Sequence, residues 1–310
     1  MPQTFLDYGQ QVEKLIVGKE LIVNNKDYAV EMLTKYSYFS LIGGYKNIFI
    51  NRSAGKYKRG TTFEDIVHLY IFDEELRALF LKNILKFERK LHSVISYHFT
   101  QTYGEQQSCY LDRNNFNYIP KYKKEIDILI KKLGHLVNDP SDYAYINYHR
   151  NKYKNVPLWV LVNAVTLGSV SRFYMYSKQS LRSKICKNFP DLNEKQLGQI
   201  LSVITKFRNV CAHGERLLTY KTKDSIGDLP LHKKLGIPIK KGKYQYGKND
   251  LFSVVISLRY VLSREDFLQF KKDLAKLISR LITKTSLTEK EILDAMGFPE
   301  NWKKITMYKK

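Results

Sequence analysis

The sequence predicts an all-α protein, on three observations. Apolar residues recur at spacings of three and four through most of the 310 residues, which is the period of an amphipathic helix. The sequence has no convincing alternation of apolar and polar residues, the pattern typical of half-buried strands. Capping residues and glycines mark the ends of the periodic segments. With 44% hydrophobic residues, the chain can bury one large core or two modest ones.

The amino-terminal third predicts two short helices, a basic loop and a long helical segment. The first helix covers 5–18, where Gly18 is placed to end it, and the second covers 26–37. The loop that follows, NRSAGKYKRGT, carries four basic residues. From 62 to 103 the helical spacing indicates two helices or one long kinked helix, which Gly104 ends. The core-facing stripe of the first helix consists of Phe5, Tyr8, Val12, Leu15 and Ile16.

The middle of the chain predicts three helices and one connection. A helix over 121–136 is followed by a basic, tyrosine-rich connection, YAYINYHRNKYKN. Pro157 opens the next helix, PLWVLVNAVTLGSVSRFYMYS. Asp191 followed by Glu194 is typical of a capping box, which starts the third helix. The core-facing stripe of that helix consists of Leu197, Ile200, Ile204, Phe207 and Cys211.

The carboxy-terminal third predicts a loop and then three helices. Residues 219–250 are rich in Lys, Gly and Pro, which indicates a loop-like interval. Two helices follow at about 250–262 and 264–283. A last capping box, formed by Ser286 and Glu289, starts a short final helix.

The charge is the most informative number in the composition. The chain has 52 Lys+Arg against 30 Asp+Glu, a net charge of +22. An excess of this size favours a polyanion, nucleic acid above all, because each phosphate contact releases condensed counterions. A second explanation stays open, since an AT-rich coding bias alone can raise Lys together with Asn, Ile and Tyr. Clusters of cations and tyrosines, able to contact phosphates and stack on unpaired bases, lie at 56–59, 121–124, 150–154 and 240–244.

Composition also limits the class of protein. No stretch approaches the roughly 18–20 apolar residues that span a bilayer, and the first residues lack a basic region followed by an apolar one. We therefore expect a cytoplasmic protein without a membrane partner. Three widely spaced cysteines, Cys109, Cys186 and Cys211, fit reduced thiols and no paired metal-ligand pattern. The sequence predicts neither a metal site nor a cofactor.

One short stretch, KFRNVCAHGERL at 206–217, combines residues that can carry chemistry. Gly214 directly after His213 predicts that the helix ends there, with the glycine in the left-handed position. His213 would then project from the end of the helix. Arg208 lies five positions earlier, about 140° around a regular helix, and its planar charge can hold two phosphate oxygens. Asn209 can orient either group.

These residue types supply the parts for metal-independent RNA cleavage. In that reaction the ribose 2′-OH attacks the adjacent phosphate, a histidine transfers protons and an arginine neutralises the developing charge. The products are a 2′,3′-cyclic phosphate and a 5′-OH. The spacing alone also fits a structural interpretation, in which His213 bonds a carbonyl at the helix end and Arg208 pairs with an acid.

The wider sequence resembles the Abi-like (abortive infection) family. RNVCAHGERL looks like the family's RN-x-x-AH-x-x-R signature, and other segments agree in order. They include KELIVNNKDYAVEMLTKYSYFSLIGGY near the start, GTTFEDIVHLYIFDEELRALFLKNILKFERK in the centre, PLWVLVNAVTLGSVSRFY, and MGFPENW at the end. The resemblance covers roughly 10–303. Gly214 and Leu218 stand where many relatives have another histidine and a tryptophan, which puts specificity in doubt.

The resemblance implies a HEPN-like helical bundle with additional N- and C-terminal helices. It implies one Abi-like HEPN domain over 1–260, with the helices of 261–310 packed on the same unit. Arg208, Asn209 and His213 correspond to the family's catalytic R-x4-H motif. HEPN ribonucleases usually build the working site where two such domains meet, so the resemblance also implies a homodimer.

Further residues are candidates for contact with RNA or for support of the motif. Asp73 or Glu88 could brace Arg208 or His213, and the alternative is that these acids form buried ion pairs that fix helix packing. Arg77 and Arg89 lie beside them in the same segment. The residues expected to bind RNA are Arg77, Arg216, Lys221, Lys223, Lys56, Lys58 and Arg59.

Three functions remain open at the level of sequence. The first is an endoribonuclease of phage defence, restrained by a partner such as a structured small RNA or a protein antitoxin. The second is a non-catalytic module that binds a structured small RNA through the same motif. The third is a DNA-binding regulator, which the lack of a convincing recognition helix disfavours.

Overall fold

The computed structural model describes residues 4–51 and 53–309, and it confirms the all-α prediction. Helices form nearly all of the regular structure, and the strands of the described part are two hairpins of two-residue strands. One long helix runs through the core, and the other main helices pack around it. Within these residues, the structure contains no helix that is long and apolar enough to cross a membrane.

Two helices begin the fold, α1 (Tyr8–Lys19) and α2 (Lys26–Tyr36). The side chain of Asp7 caps α1, so this helix begins later than predicted. It also runs past Gly18, which does not stop it. The apolar stripe of α1 is shorter than predicted, because Phe5 precedes the helix and is 87% exposed.

The segment after α2 is irregular and includes a short hairpin. Its elements are a π-helical turn at Phe39–Gly43, a 3-10 turn at Lys46–Ile48, and strands β1 (Ile50–Asn51) and β2 (Lys56–Tyr57). The strands are antiparallel, with Ile50 opposite Tyr57. This hairpin lies where the sequence predicted a loop.

The central helix, α3 (Phe63–Tyr103), is one continuous helix of 41 residues. Of the two predicted alternatives, the single helix is therefore the one observed. Thr62 and Asp65 form a capping box at its start, and Gly104, with a φ of 101°, ends it as predicted. At 1.5 Å per residue, α3 is about 60 Å long.

The middle of the chain differs from its prediction in several places. Its helices are α4 (Gln107–Leu111), α5 (Lys123–Asn138), α6 (Ala144–Tyr153), α7 (Leu158–Leu161), α8 (Leu167–Tyr176) and α9 (Gln179–Cys186), with 3-10 turns at Arg113–Asn115 and Val162–Ala164. Helix α6 occupies the stretch predicted as a connection. The single helix predicted from Pro157 is divided, because the side chain of Thr166 caps a new helix, α8.

The helix that carries the motif is α10 (Glu194–Ala212). Its capping box uses Asn193 and Gln196 instead of the predicted Asp191 and Glu194. Asp191 cannot serve as this cap because it lies two residues earlier, in a left-handed conformation with φ of 71°. All five residues of the predicted core stripe are buried.

The carboxy-terminal part contains a second hairpin and three longer helices. Its elements are α11 (Pro230–Lys234), β3 (Ile239–Lys240), β4 (Lys243–Tyr244), α12 (Leu251–Val261), α13 (Arg264–Lys284), α14 (Glu289–Met296) and a 3-10 turn at Trp302–Thr306. Thr288 and Glu291 cap α14, not Ser286 and Glu289 as predicted. Ser286 instead donates two hydrogen bonds of 2.9 Å to Asp65 at the start of α3.

Helices α10 and α13 both lie along α3. Phe80 of α3 packs edge-on against Phe270 of α13, with ring centroids 5.2 Å apart. The Lys86 ammonium of α3 pairs with Asp266 of α13 at 2.6 Å. The predicted boundary between 260 and 261 falls in the last turn of α12, and the division into two parts stays a prediction.

Candidate functional site at the end of helix α10

The end of α10 has the geometry predicted from Gly214. His213 is the last residue of the helix turn, and its N–H donates to the Asn209 carbonyl at 2.9 Å. Gly214 follows with φ of 69°, the left-handed conformation that glycine adopts without strain. The N–H of Glu215 then donates to the Val210 carbonyl at 3.1 Å, which is the bond expected of a Schellman ending. The helix therefore stops directly after His213.

An exposed polar stripe leads along α10 to this end. Ser202, Lys206, Asn209 and His213 follow one another at spacings of four, three and four, so they share one face. Ser202 donates to Asp224 at 2.7 Å, so the loop after the motif covers its part of the stripe. Lys206, Asn209 and His213 are exposed. Two of the three predicted catalytic residues thus lie on an open surface.

Arg208 lies on a different side of α10, directed towards α3. Its side chain is 28% exposed, and its Nε is 3.8 Å from Oε2 of Glu88. Both atoms are shielded from solvent, and neither has a hydrogen-bond partner among the described residues. The approach through Nε leaves the two terminal nitrogens of the guanidinium available to a phosphate.

Glu88 connects Arg208 to a buried histidine. Oε1 of Glu88 is 3.8 Å from Nε2 of His92, one helical turn further along α3. Burial raises the pKa of Glu88, while the charge of Arg208 and the Leu167 N–H oppose the rise. Burial lowers the pKa of His92 to about 4, so this imidazole is neutral at physiological pH. Of the two groups that face Glu88, Arg208 is therefore the one that carries a charge.

A second buried carboxylate, Asp73, holds the chain that follows the motif. It is fully buried and accepts hydrogen bonds from Tyr45 Oη at 2.6 Å, Arg77 Nη1 at 2.7 Å and the N–H groups of Leu217 and Leu218 at 3.0 and 2.7 Å. The turn after His213 is thereby fixed to α3. Arg77, predicted to bind RNA, is also buried and paired with Asp73. Its place in the structure favours the alternative, a buried ion pair that fixes packing.

The predicted RNA-binding residues after the motif lie beside a cleft. Arg216 is exposed, donates to the Gly44 carbonyl and places its guanidinium carbon 5.8 Å from the centre of the Tyr45 ring. Lys221 and Lys223 are exposed. Arg216 and Lys221 line a cleft of about 650 Å³ between the chain after the motif and the irregular segment 39–45. The structure thus brings two of these cations together next to Gly214.

The predicted RNA-binding residues of the first hairpin are partly engaged elsewhere. Lys56 pairs with Glu20, and Lys58 pairs with Glu291 at 2.6 Å. Arg59 is exposed. Among the described residues, none of the ion pairs or hydrogen bonds of these three cations joins them to Arg208, Asn209 or His213. Within the described residues, no group of three His, Cys, Asp or Glu side chains could hold a metal ion.

Comparison with known families decides the identity of the chain. The family model described as Abi-like protein matches residues 31–219. The chain belongs to the Abi-like family. The match begins in α2 and ends just after the motif, so it includes Asp73, Glu88 and Arg208. Comparisons with curated proteins and with solved structures give no match.

Membership of the Abi-like family suggests a part in abortive infection, a form of phage defence. The family match contains both α3 and α10, the two helices that meet at Arg208 and Glu88. Helices α12, α13 and α14 lie outside the matched residues.

Two contributors to the site of this Abi-like chain were not predicted from its sequence. Tyr45 was not considered, because its contact with Asp73 joins residues 28 positions apart. His92 was also not predicted to lie at the site, although Glu88 and His92 stand four residues apart on one helix, a spacing that brings side chains together. That spacing was the only local signal available.

Proposed function

We propose that this Abi-like chain is a metal-independent endoribonuclease of phage defence. The observation that carries the proposal is the arrangement at the end of α10. His213 and Asn209 are exposed beside the last helical turn, while buried Glu88 lies against Arg208. Because the two groups lie on different sides of α10, a phosphate would meet the terminal nitrogens of Arg208 from one copy and the imidazole of His213 from a second copy.

The reaction forms one bond and breaks one. The ribose 2′-oxygen loses its proton and attacks the adjacent phosphorus, and the bond from phosphorus to the 5′-oxygen breaks as that oxygen gains a proton. His213 serves in proton transfer, and Arg208 stabilises the negative charge on the phosphorane. Asn209 orients one of these groups. The products are a 2′,3′-cyclic phosphate and a 5′-OH.

A second copy of the chain completes the proposed site. The sequence has one R-x4-H element of this kind, and Arg208 and His213 project from different sides of α10. The exposed stripe of Lys206, Asn209 and His213 is the surface on which a second copy would pack. Two motifs would then face each other across the dimer, and an isolated monomer should be weak or silent.

RNA is the proposed partner as well as the substrate. A net charge of +22 supports a polyanion. Uncontrolled cleavage would harm the host, so the proposal includes a restraining partner, either a structured small RNA or a protein antitoxin.

The second candidate function is a non-catalytic RNA-binding module. It is favoured by the exposed cations beside the motif, since Arg216 and Lys221 line the same cleft. In this case Arg208 and His213 contact phosphate without cleaving it.

The test is cleavage of RNA in EDTA after removal of any co-purified nucleic acid. We expect wild-type protein to give products with cyclic-phosphate ends, and Arg208→Ala and His213→Ala to lose cleavage while they retain binding. His135→Ala, which alters an exposed histidine of α5, is the matched control and should cleave normally. Absence of cleavage by wild type, together with loss of binding in both motif variants, would favour the binding module.

A further inference from the structure

Helix α6 presents an unusual set of exposed aromatic rings. Tyr145, Tyr148 and Tyr153 are 39%, 51% and 54% exposed, and Tyr143 just before the helix is 42% exposed. Only Ile146 of α6 is buried. Large apolar surface clustered in this way usually marks a binding site, whereas single exposed residues need no explanation.

The aromatic rings of α6 contact one another. Tyr148 and Tyr153 meet edge to face with centroids 5.9 Å apart, and His149 lies 5.3 Å from Tyr153. The Lys152 ammonium donates to the Tyr148 hydroxyl at 2.8 Å and lies 5.2 and 5.3 Å from the centres of the Tyr148 and Tyr153 rings. Tyr145, Tyr148 and Lys152 are spaced three and four apart, so they form one stripe. We call Tyr145, Tyr148, Lys152 and Tyr153 the α6 face.

The charge around the α6 face is positive. No Asp or Glu occurs from 143 to 156, whereas Arg150, Lys152 and Lys154 all lie there. The acids next to it in sequence are Asp139 and Asp142, in the turn between α5 and α6. The Asp139 carboxylate is engaged by His135 at 2.7 Å.

The α6 face lies near the carboxy-terminal end of α3, away from the motif. Asn155, just after α6, accepts a hydrogen bond of 2.7 Å from the Gln107 N–H and donates one of 3.2 Å to the Glu105 carbonyl. Both partners follow directly after the end of α3 at Tyr103. Fifteen residues of α3, about 22 Å at 1.5 Å per residue, separate this end from Glu88, which contacts Arg208.

We propose that the α6 face binds unpaired nucleotides of RNA, at a site separate from the cleavage site. Flat exposed rings stack on bases of any sequence, and the cations between them contact the phosphates. A paired helix hides its bases, so the face distinguishes single-stranded segments from duplex RNA. The inference rests on RNA as the proposed partner, but it does not depend on cleavage.

The test measures binding of a 12-nucleotide oligouridylate and of a 12-base-pair RNA duplex to full-length His213→Ala protein. Adding Tyr148→Ala or Tyr145→Ala should weaken oligouridylate binding at least about fivefold, the lower end of the loss reported for removal of one base-stacking ring. Duplex binding should change less. The matched control is Tyr97→Ala, which removes an exposed tyrosine of α3, 63% exposed, and should leave both affinities unchanged.

Two results would overturn the proposal. If Tyr145→Ala, Tyr148→Ala and Tyr97→Ala proteins bind oligouridylate equally while the parent binds it well, the α6 face is not an RNA site, and the proposed function is untouched. A protein interface would then explain the rings. If the parent binds neither RNA, the inference fails together with RNA as the proposed partner. Thermal unfolding of each variant shows that any loss of binding does not come from a damaged fold.

Discussion

Two buried carboxylates on α3, Asp73 and Glu88, differ in how completely they are bonded. Asp73 is fully buried and accepts four hydrogen bonds, two of them from the chain just after the motif. Glu88 is nearly as buried, but its Oε2 has no hydrogen-bond partner among the described residues. Nε of Arg208 lies 3.8 Å from Oε2, and Nε2 of His92 lies 3.8 Å from Oε1.

The difference in bonding indicates that the two carboxylates have different roles. A buried charge that is fully hydrogen-bonded fixes the surrounding structure. One that lacks a partner carries a desolvation cost, and such sites are often functional. Asp73 therefore fixes the chain just after the motif, whereas the looser contact between Glu88 and Arg208 agrees with the proposed role of Arg208 in binding phosphate.

The largest expected effect is a loss of stability when Asp73 is replaced. Asp73→Ala leaves Arg77 buried without its partner and removes the acceptor of the Leu217 and Leu218 N–H groups. Loss of one member of a buried pair costs about 3–5 kcal/mol, so urea unfolding should show a decrease of that size in the free energy of unfolding.

The matched control for this change is Glu74→Ala. Glu74 is the next residue of α3, its side chain is 42% exposed, and it lies 4.0 Å from Arg77. Because exposed pairs contribute about 0–1 kcal/mol, this variant should unfold nearly as wild type does. Equal unfolding of the two variants would show that Asp73 is not the anchor.

The second effect concerns activity and sharpens the role of Glu88. Glu88→Gln keeps the shape of the side chain and removes the charge that faces Arg208. We expect cleavage to fall on the order of 10- to 100-fold, because small displacements of a catalytic group have effects of this size. The measurement is single-turnover cleavage of a short RNA in EDTA.

A structural role for Glu88 would give a different result. If the residue only supports packing, the loss of cleavage in Glu88→Gln should follow a loss of stability. We expect instead an unchanged unfolding midpoint, and Glu88→Asp should restore part of the activity, since it returns the charge. Cleavage at the wild-type rate by a stable Glu88→Gln protein would contradict the positioning role.

Local signals in the sequence were sufficient for the main helices. The period of apolar residues located α10, α12 and α13, and the stop at Gly214 followed from the conformational freedom of one residue. Errors arose where two caps compete within a few residues, as with Asp191 and Asn193. Helix α6 was missed because its exposed tyrosines give it no apolar stripe to recognise.

The site could be predicted only in part from the sequence. The sequence singled out Arg208, Asn209 and His213 as neighbours on one segment, but the partner of Arg208 depends on how α3 and α10 pack. Two acids, Asp73 and Glu88, were equal candidates for that partner. Their burial and bonding distinguish them, and both are properties of tertiary structure.

The smallest expected effect is the dependence of stability on pH around Glu88. The folded pKa of His92 is about 4, below its usual 6.5, so the stability that its neutral form contributes is present above pH 6.5 and is lost as pH falls towards 4. The folded pKa of Glu88 is raised, so its protonated form contributes stability that is present below pH 4.5 and lost as pH rises through that raised pKa. The two neighbours therefore act in opposite directions.

Replacing either residue by glutamine, which does not titrate, should remove its contribution to the pH dependence of stability. Relative to wild type, His92→Gln should gain stability as pH falls from 6.5 to 4, and Glu88→Gln should gain it as pH rises above 4.5. We expect a gain on the order of 1 kcal/mol for His92→Gln, the change that corresponds to about one pKa unit. Urea unfolding from pH 4 to 7.5 measures both, with His135→Gln as the exposed control. If the free energy of unfolding of His92→Gln changes with pH in parallel with that of wild type, His92 is not held neutral. The contrast between Glu88 and the fully bonded Asp73 would then depend on the contact with Arg208 alone.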